Sequence, residues 1–443
     1  MIIKDIVINK FRGFDNRSFA FDRKMNVVLG DNTTGKTTLL HAVQVALGAY
    51  LQELTLVTGC ARNFWKSDQV SLYSNSTKSF QPHTEKPRIE AIADFVKGTY
   101  TIQTQEYKEE TKRIRWARTS ANQSKNSRKN TGELMDIVAE LEQSRRSADA
   151  TGVIPVFPLF LSFGASRLEN KYNGTEKTKA RASREERAYK CALDEKVDFK
   201  SAFDWIYRYE RELTKGNEFE GTDRAFLSAL YDAIPALKQI EIDRKNNEFT
   251  AAIQMVKDAA PYWLTYDMMS AGFKSMINIA SEIAHRCIEL NGFLGADAVK
   301  KTAGVIMIDE IDLYLHPHWQ QHVLEDLQRA FPKMQFIVTT HSPFIVQSVR
   351  RENVIALDGN KGDVDPNMRH IEDVISVEMQ TEPRNSRYKL MLEKAERYYQ
   401  LVKACEADTP TAAAIKRELD EIEEEFSDDP AYVSLLRAER SGE

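Results

Sequence analysis

Three short stretches of this 443-residue chain carry residue types that could do chemistry together. The first is VVLGDNTTGKTTLL, residues 27–40. Gly30, four intervening residues, then Gly35, Lys36 and Thr37 is the spacing of a phosphate-binding loop. Gly30 and Gly35 permit backbone angles that a side chain would obstruct. Asp31, Asn32, Thr33 and Thr34 between them, and Thr38 just beyond, then turn backbone N–H groups toward phosphate oxygens. Lys36 supplies a point charge to the β- and γ-phosphates, and the Thr37 hydroxyl suits Mg²⁺. The second stretch is GVIMIDEID, in which four apolar residues, Val305 to Ile308, end in Asp309 and Glu310. From a strand end Asp309 would hold Mg²⁺ through water, and Glu310 would polarise an attacking water as a general base. The third is FIVTTHSP, where His341 follows another apolar run and could reach a γ-phosphate or position the water. The implied ligands are ATP and Mg²⁺, and the implied chemistry is hydrolysis.

These groups need elements to hold them. Val27, Val28 and Leu29 read as a strand buried on both faces, and the apolar positions from Leu39 to Leu47 read as a helix starting at the loop. A helix N-terminus favours an anion at that place. Strands at 304–308 and 335–339, with helices at 317–330 and 343–349, continue an α/β pattern, and NVIALDG is a last strand. In MMSAGFKSMINIASEIAHR, Ser270 and Gly272 precede a helix over 273–290. Two readings stay open for that helix start: a plain Ser cap, or a second anion site made by the helix end and the hydroxyl.

Elsewhere residues 2–8 give a first strand, and 54–87 show no clear periodicity. RIEAIADFVKGTYTIQTQEYK alternates and reads as a hairpin turning at Lys97-Gly98, with KRIRWART adding a third strand. Between Lys108 and Lys129 lie eight Lys or Arg against two Glu, and the polar run after Arg118 reads as mobile. That segment is either a solvated insertion or a basic arm for nucleic acid or a partner. Helices are expected at 198–213 and 222–234, a second hairpin at LKQIEIDRKNNEFTAAI, and an acidic helical region from 371 onward.

Bulk properties set limits. Hydrophobic content of 42% supports a globular core, and a net charge of −5 is not that of a wholesale polyanion binder. The 4 Cys are far apart and form no CxxC pair, which argues against a disulfide framework or zinc ribbon and for a reducing cytoplasm. No apolar run approaches the roughly 18–20 residues of a membrane span. His318 and His322 are four apart on the 317–330 helix, the spacing of a zinc pair.

Taken in order, the phosphate loop, MSAGF, IMIDEIDLYLHP and VTTHSP resemble an ABC-type ATPase head of the SMC/RecF/OLD class, over residues 1 to about 360. The resemblance implies two heads packed head to tail, with the signature segment of one closing over ATP on the other. On that basis Ser270 and Gly272 belong to the signature, Asp312 to the D-loop, and His341 is the switch histidine. Arg12 of FRGF lies near the nucleotide, and the His-Pro pair at 316–317 belongs to the class pattern rather than to zinc. The signature departs from Leu-Ser-Gly-Gly-Gln at Ala271 and Phe273, and no Q-loop glutamine is placed. FGASRL, LDEKVDFKSAFDWIYRYE and the tail LEKAERYYQLV are similar more narrowly to the Septu (PtuA) and retron-linked anti-phage ATPases. That likeness implies a separate HNH nuclease partner.

The expected fold is therefore α/β, an ABC-type P-loop head with an antiparallel β subdomain, a helical insertion and a C-terminal helical region. Its divisions are an N-terminal lobe (1–107), a basic flexible insertion (108–151), a helical/β insertion (152–262), a C-terminal lobe (263–360) and a helical partner or oligomerisation region (361–443). The functional expectation is an anti-phage ATPase that pairs with itself, as a dimer or higher even oligomer, and gates a nuclease. The alternative is a repair or structural-maintenance ATPase that grips DNA through 108–129.

Overall fold

The structure is a computed structural model. It describes residues 1–382 except 56, 58–59, 75–77, 121–127, 168–182, 195–199, 244, 256–258 and 359–361; beyond 382 it describes only 397, 400, 409–410, 413–415 and 417. The chain divides into Met1–Val374 and a second unit, Ile375–Glu443. The acidic stretch RELDEIEEEF, expected to be helical, and the tail LEKAERYYQLV lie almost wholly outside the described residues. All the described strands belong to the first unit.

β1 (Ile2–Phe11) and β2 (Phe14–Ala20) pair antiparallel, with Phe11 opposite Phe14 across a tight turn. β3 (Met25–Leu29) is buried at every position, and the loop after it delivers the chain to α1 (Lys36–Glu53). A short hairpin of β4 (Ser71–Ser74) and β5 (Ser79–Pro82) occupies part of 54–87. A long antiparallel pair comes next, β6 (Arg88–Thr101) and β7 (Glu106–Thr119). Then come α2 (Arg128–Arg146), α3 (Ala148–Thr151), β8 (Val153–Val156) and β9 (Leu159–Phe163). Helices α4 (Arg184–Tyr189), α5 (Lys200–Thr214) and α6 (Thr222–Ala233) lead to a three-stranded antiparallel sheet of β10 (Leu237–Asp243), β11 (Glu248–Ile253) and β12 (Tyr262–Thr265). The last segment holds α7 (Ala271–Asn291), α8 (Ala298–Lys301), β13 (Gly304–Ile308), α9 (Pro317–Gln320), α10 (Val323–Ala330), β14 (Met334–Thr339), α11 (Pro343–Gln347) and β15 (Val354–Ala356).

Two sheets organise these elements. The core sheet runs β15-β3-β14-β13-β9, and every neighbouring pair is parallel. Parallel strands need long crossovers and are covered on both faces, which is why β3, β9, β13 and β14 are continuous buried runs. Because the strands are parallel, the loops after β3, β13 and β14 leave from the same edge, where such sheets gather their ligands. The second sheet, β2-β1-β6-β7 with β8 beside β6, is antiparallel. Gln335 of β14 clamps the two together: its amide oxygen accepts the Ile3 N–H at 2.8 Å, and its amide nitrogen donates to Ile3 O at 2.8 Å and Asp22 O at 2.7 Å.

Several expectations need correction. The β6–β7 hairpin turns at 102–105, not at Lys97-Gly98. Gly98 sits inside β6 because a Cβ there would come within 2.9 Å of the Val156 side chain; it marks a close approach rather than a turn. KRIRWART is the far half of β7 and not a separate strand. The flexible insertion drawn over 108–151 is instead mostly ordered, with 108–119 in β7 and 128–146 in α2; only 121–127 fall outside the described residues. The 152–262 insertion must give up β9, which pairs with β13 in the core sheet. The helix expected over 317–330 breaks between α9 and α10 at Gln321 and His322.

Candidate active site

The loop after β3 has the geometry its glycines suggest. Gly30 has φ 152 and Gly35 φ 107. A Cβ on Gly30 would meet the Thr34 hydroxyl at 2.4 Å, and one on Gly35 would meet the Phe14 ring at 2.8 Å. Gly35 is the N-cap of α1, whose 18 residues begin at Lys36, so the first-turn N–H groups face the loop. The Lys36 ammonium donates to Gly30 O at 2.6 Å and Asp31 O at 3.0 Å. Burial pushes its pKa down, against the opposing pull of Asp309, Asp31 and Glu310. Asp31, Asn32, Thr33 and Thr37 are exposed at the loop surface, and Thr34 and Thr38 are half-buried.

The acidic strand end reaches this loop from a position 272 residues away in sequence: Thr37 Oγ1 donates to Asp309 Oδ2 at 2.9 Å. The other carboxylate oxygen, Asp309 Oδ1, accepts from Thr339 Oγ1 at 2.5 Å, and Thr339 Oγ1 in turn accepts the Glu310 N–H at 2.8 Å. One threonine at the end of β14 thus holds the Asp309 carboxylate and the Glu310 backbone at the end of β13. Glu310 sits at φ 48, a left-handed backbone that a non-glycine residue seldom adopts and that turns the chain sharply off the strand. Asp312 accepts from Thr340 Oγ1 at 2.5 Å and from the His341 N–H at 3.4 Å, which ties the turn after β13 to the segment after β14. The His341 residue itself is exposed.

A hydroxyl and a carboxylate facing each other across 2.9 Å form an oxygen-rich donor set of the kind a hard divalent cation takes. Thr37 and Asp309 would therefore hold Mg²⁺, and a bound Mg²⁺ would neutralise charge on phosphate oxygens.

The signature segment is built on different contacts. Ser270 is the N-cap of the 21-residue α7, and its Oγ accepts the Phe273 N–H at 3.4 Å. Ser270 and Ala271 are exposed, whereas Gly272 and Phe273 are buried. A Cβ on Gly272 would lie 2.6 Å from Tyr314 O, so the helix start rests directly on the backbone after the D-loop. Phe273, where the signature it resembles has glutamine, packs edge-on against Trp319 at 4.2 Å between centroids. That packing gives the departure a physical reason. No hydrogen bond among the described residues joins Ser270 or Gly272 to the phosphate loop. The Arg12 side chain is held by Asp68, its Nε donating to Oδ1 at 2.8 Å, and Phe14 two residues on lies against Gly35. His318 and His322 have rings 5.5 Å apart. No metal-binding cluster of three or more His, Cys, Asp or Glu occurs among the described residues.

Sequence reasoning missed Thr339 and Arg167. Arg167 is 2% exposed and donates to Asp309 O at 2.9 Å, Glu310 O at 3.1 Å and Ser275 Oγ at 3.2 Å. It therefore connects the acidic strand end to the signature helix. Burial pushes its guanidinium pKa down, with Tyr314 and Asp309 opposing. The available signal was its place in FGASR, directly after a buried strand, where a charged residue needs a partner.

Known proteins share parts of this chain. A family model described as an AAA domain matches residues 5–258. A second, described as an AAA domain, putative AbiEii toxin, Type IV TA system, matches 171–347. The retron Vc95 probable ATPase of Vibrio cholerae serotype O1 biovar El Tor is 23% identical over 80% of this chain and 72% of its own length. The retron Ec83 probable ATPase of Escherichia coli is 25% identical over 80% and 70%. The Septu protein PtuA of Bacillus thuringiensis is 38% identical over 25% of this chain and 27% of its own. A solved SMC head, bound to the C-winged helix domain of ScpA, aligns over 80% of this chain and 94% of its own at 14% identity and a TM-score of 0.40. The fold assignment rests on the strand order rather than on so loose a likeness. The first family model covers more than half of the chain, and it spans the loop that α1 and Asp309 complete: this chain belongs to the AAA-domain family and is an ATPase.

Proposed function

We propose that this chain is the ATP-hydrolysing subunit of a prokaryotic anti-phage defence complex. Two heads pair head to tail, as a dimer or a higher even assembly, and the state of the pair controls a separate nuclease effector of the HNH type. The single observation that carries the hydrolytic part is the Thr37–Asp309–Thr339 chain of hydrogen bonds, which brings loop, acid and switch strand to one point. Around it Lys36 binds the β- and γ-phosphates, Glu310 takes the proton of the attacking water, and His341 faces the γ-phosphate. Ser270 offers its hydroxyl and an exposed helix end to the nucleotide of the other head. The defence assignment draws on the two retron ATPases matched over 80% of the chain, and the effector on the shorter match to PtuA.

The repair or structural-maintenance reading leans on the basic segment 108–129, part of whose charge is already paired in the fold. Arg113 pairs with Asp94 at 3.0 Å and Arg115 with Glu90 at 2.7 Å, while Arg118 is buried against Val45 O at 2.8 Å. Arg118 is thereby withdrawn from solvent against α1, whereas Arg113 and Arg115 are paired at the sheet surface with side chains 69% and 67% exposed. No helix among the described residues is long and apolar enough to cross a membrane.

Phosphate release with ATP and Mg²⁺ tests the hydrolytic part. Affinity purification from the native operon, with ATP and separately with ADP, tests the effector: a nuclease should co-purify in one state. Recovery of the ATPase alone in both states counts against gating. Salt-dependent binding to duplex DNA, lost on neutralising 108–129, would instead favour the repair reading.

A further inference from the structure

Glu310 holds a backbone that its surroundings must enforce. A residue with a Cβ keeps a φ of 48 only where its neighbours fix it. On one side β14 does so: the Glu310 N–H donates to Thr339 Oγ1 at 2.8 Å, and the Ile311 N–H donates to Thr339 O at 3.0 Å. On the other side the Glu310 carbonyl accepts from Arg167 Nη2 at 3.1 Å and from the Leu313 N–H at 3.0 Å. The same guanidinium donates through Nη1 to Asp309 O at 2.9 Å and through Nε to Ser275 Oγ at 3.2 Å. One planar group thus meets two consecutive carbonyls of the acidic turn and a hydroxyl on the second turn of α7.

That arrangement is costly. Arg167 is 2% exposed and Ser275 1%. The guanidinium gives up its hydration for the carbonyls of Gly164, Asp309 and Glu310 and one hydroxyl. A position that asked only for volume would be filled more stably by an apolar side chain. What the position uses is the fork: five N–H groups in one plane, which a lysine ammonium on its flexible stem does not reproduce. Among the described hydrogen bonds, Arg167 takes the backbone oxygens of both acids and neither carboxylate. Both carboxylates therefore stay available for the cation and the water, while the chain that carries them is pinned from behind.

We infer that Arg167 is a positioning residue for hydrolysis: it fixes the Glu310 turn in the orientation from which the carboxylate meets the attacking water, and it ties that turn to α7 through Ser275. This rests on the reading of Glu310 as the general base. Arg167 acts through the acid and not on the nucleotide, so it governs turnover and leaves binding alone. A displacement of about 1 Å in a catalytic group is enough to cost about 10²-fold in rate.

The test measures kcat and KM for phosphate release, and ATP affinity by filter binding, in Arg167→Lys, Ser275→Ala and Glu310→Gln, and in each of the first two combined with Glu310→Gln. Arg167→Lys should lower kcat about 10²-fold, with KM and ATP affinity unchanged. Ser275→Ala removes one hydroxyl and should lower kcat by less, again with KM unchanged. In the Glu310→Gln background, where single turnover of radiolabelled ATP reads the residual rate, neither substitution should lower it further, because residues that act as a unit are not additive. An arginine that only supports the core would instead lower the rate by the same factor in both backgrounds and weaken ATP binding as well; that result overturns the inference. So does wild-type kcat in Arg167→Lys or in Ser275→Ala. Should Arg167→Lys fail to fold, Ser275→Ala alone and with Glu310→Gln decides. Normal turnover in Glu310→Gln is a separate failure, because it removes the general-base reading on which Arg167 depends.

Discussion

The phosphate loop and the signature segment are both helix N-termini that begin next to a glycine, yet the molecule treats them oppositely. At the first, the groups converge within one chain: Thr37 reaches Asp309, Lys36 bonds the loop carbonyls, and Phe14 closes over Gly35. At the second, the buried side is fixed by Gly272 on Tyr314 O and Phe273 on Trp319, while Ser270 and Ala271 are exposed, with no hydrogen bond to the loop among the described residues. The first site is complete enough to grip a triphosphate alone. The second is firmly oriented, with its hydroxyl on an exposed helix end where it caps the Phe273 N–H. On the proposed pairing, the contrast makes binding a property of one head and turnover of two.

That division can be broken by experiment. Lys36→Ala strikes the self-contained half and should remove both ATP binding and turnover, the latter by at least about 100-fold, because the lost charge acts directly on the phosphates. Glu310→Gln should lower phosphate release by about 10²–10⁴-fold, the range of general acid–base catalysis, while ATP stays bound. Filter binding and phosphate release on the same preparations separate the two. If Glu310→Gln turns over ATP normally, the acid is misassigned.

The second half is tested by mixing. Ser270→Arg should bind ATP with wild-type affinity and lose turnover, since its own loop is intact and its partner's nucleotide is blocked. Combined with Lys36→Ala, it should regain phosphate release that neither variant shows alone. In a mixed pair, the intact loop of one subunit meets the intact signature of the other. Absence of recovery, with mixed assembly shown by native mass spectrometry, would place both halves of the site in one chain.

How far the site was legible tracked the range of the interactions. The loop could be read because its chemistry is local: Gly30, Gly35, Lys36 and Thr37 fall within eight residues, between a buried strand and a helix. The core strands could be read because burial on both faces writes a continuous apolar run. Thr339 and Arg167 could not be assigned, because their roles exist only once β9, β13 and β14 lie side by side. The hairpin turn was misplaced for a related reason. A glycine in an alternating strand looks like a turn until β8 is known to pass against it. The ion pairs of the basic segment could not be read because its Asp94 and Glu90 partners lie on β6, 19 and 25 positions away in sequence.

The finest test of the comparison is Gly272→Ala. At the phosphate loop the glycines hold positive φ and make room for the Thr34 and Phe14 side chains; Gly272 instead makes room for the backbone of Tyr314 against α7. An added methyl would have to sit 2.6 Å from Tyr314 O, a backbone atom that cannot swing aside. Tyr314 already holds φ 69, so the D-loop has little room to move. The strain should therefore appear as lost stability of about 1–3 kcal/mol, the usual cost of overpacking, read as a lower thermal midpoint. ATP affinity should not change, because neither Lys36 nor Thr37 is disturbed. Turnover should fall, since Ser270 would shift with the helix start while Asp312, bonded to Thr340 and His341, would be pulled the other way. A variant as stable as wild type would show that the close approach at Gly272 is not what seats the signature helix, and the contrast between the two glycine-marked helix ends would then lose its structural half.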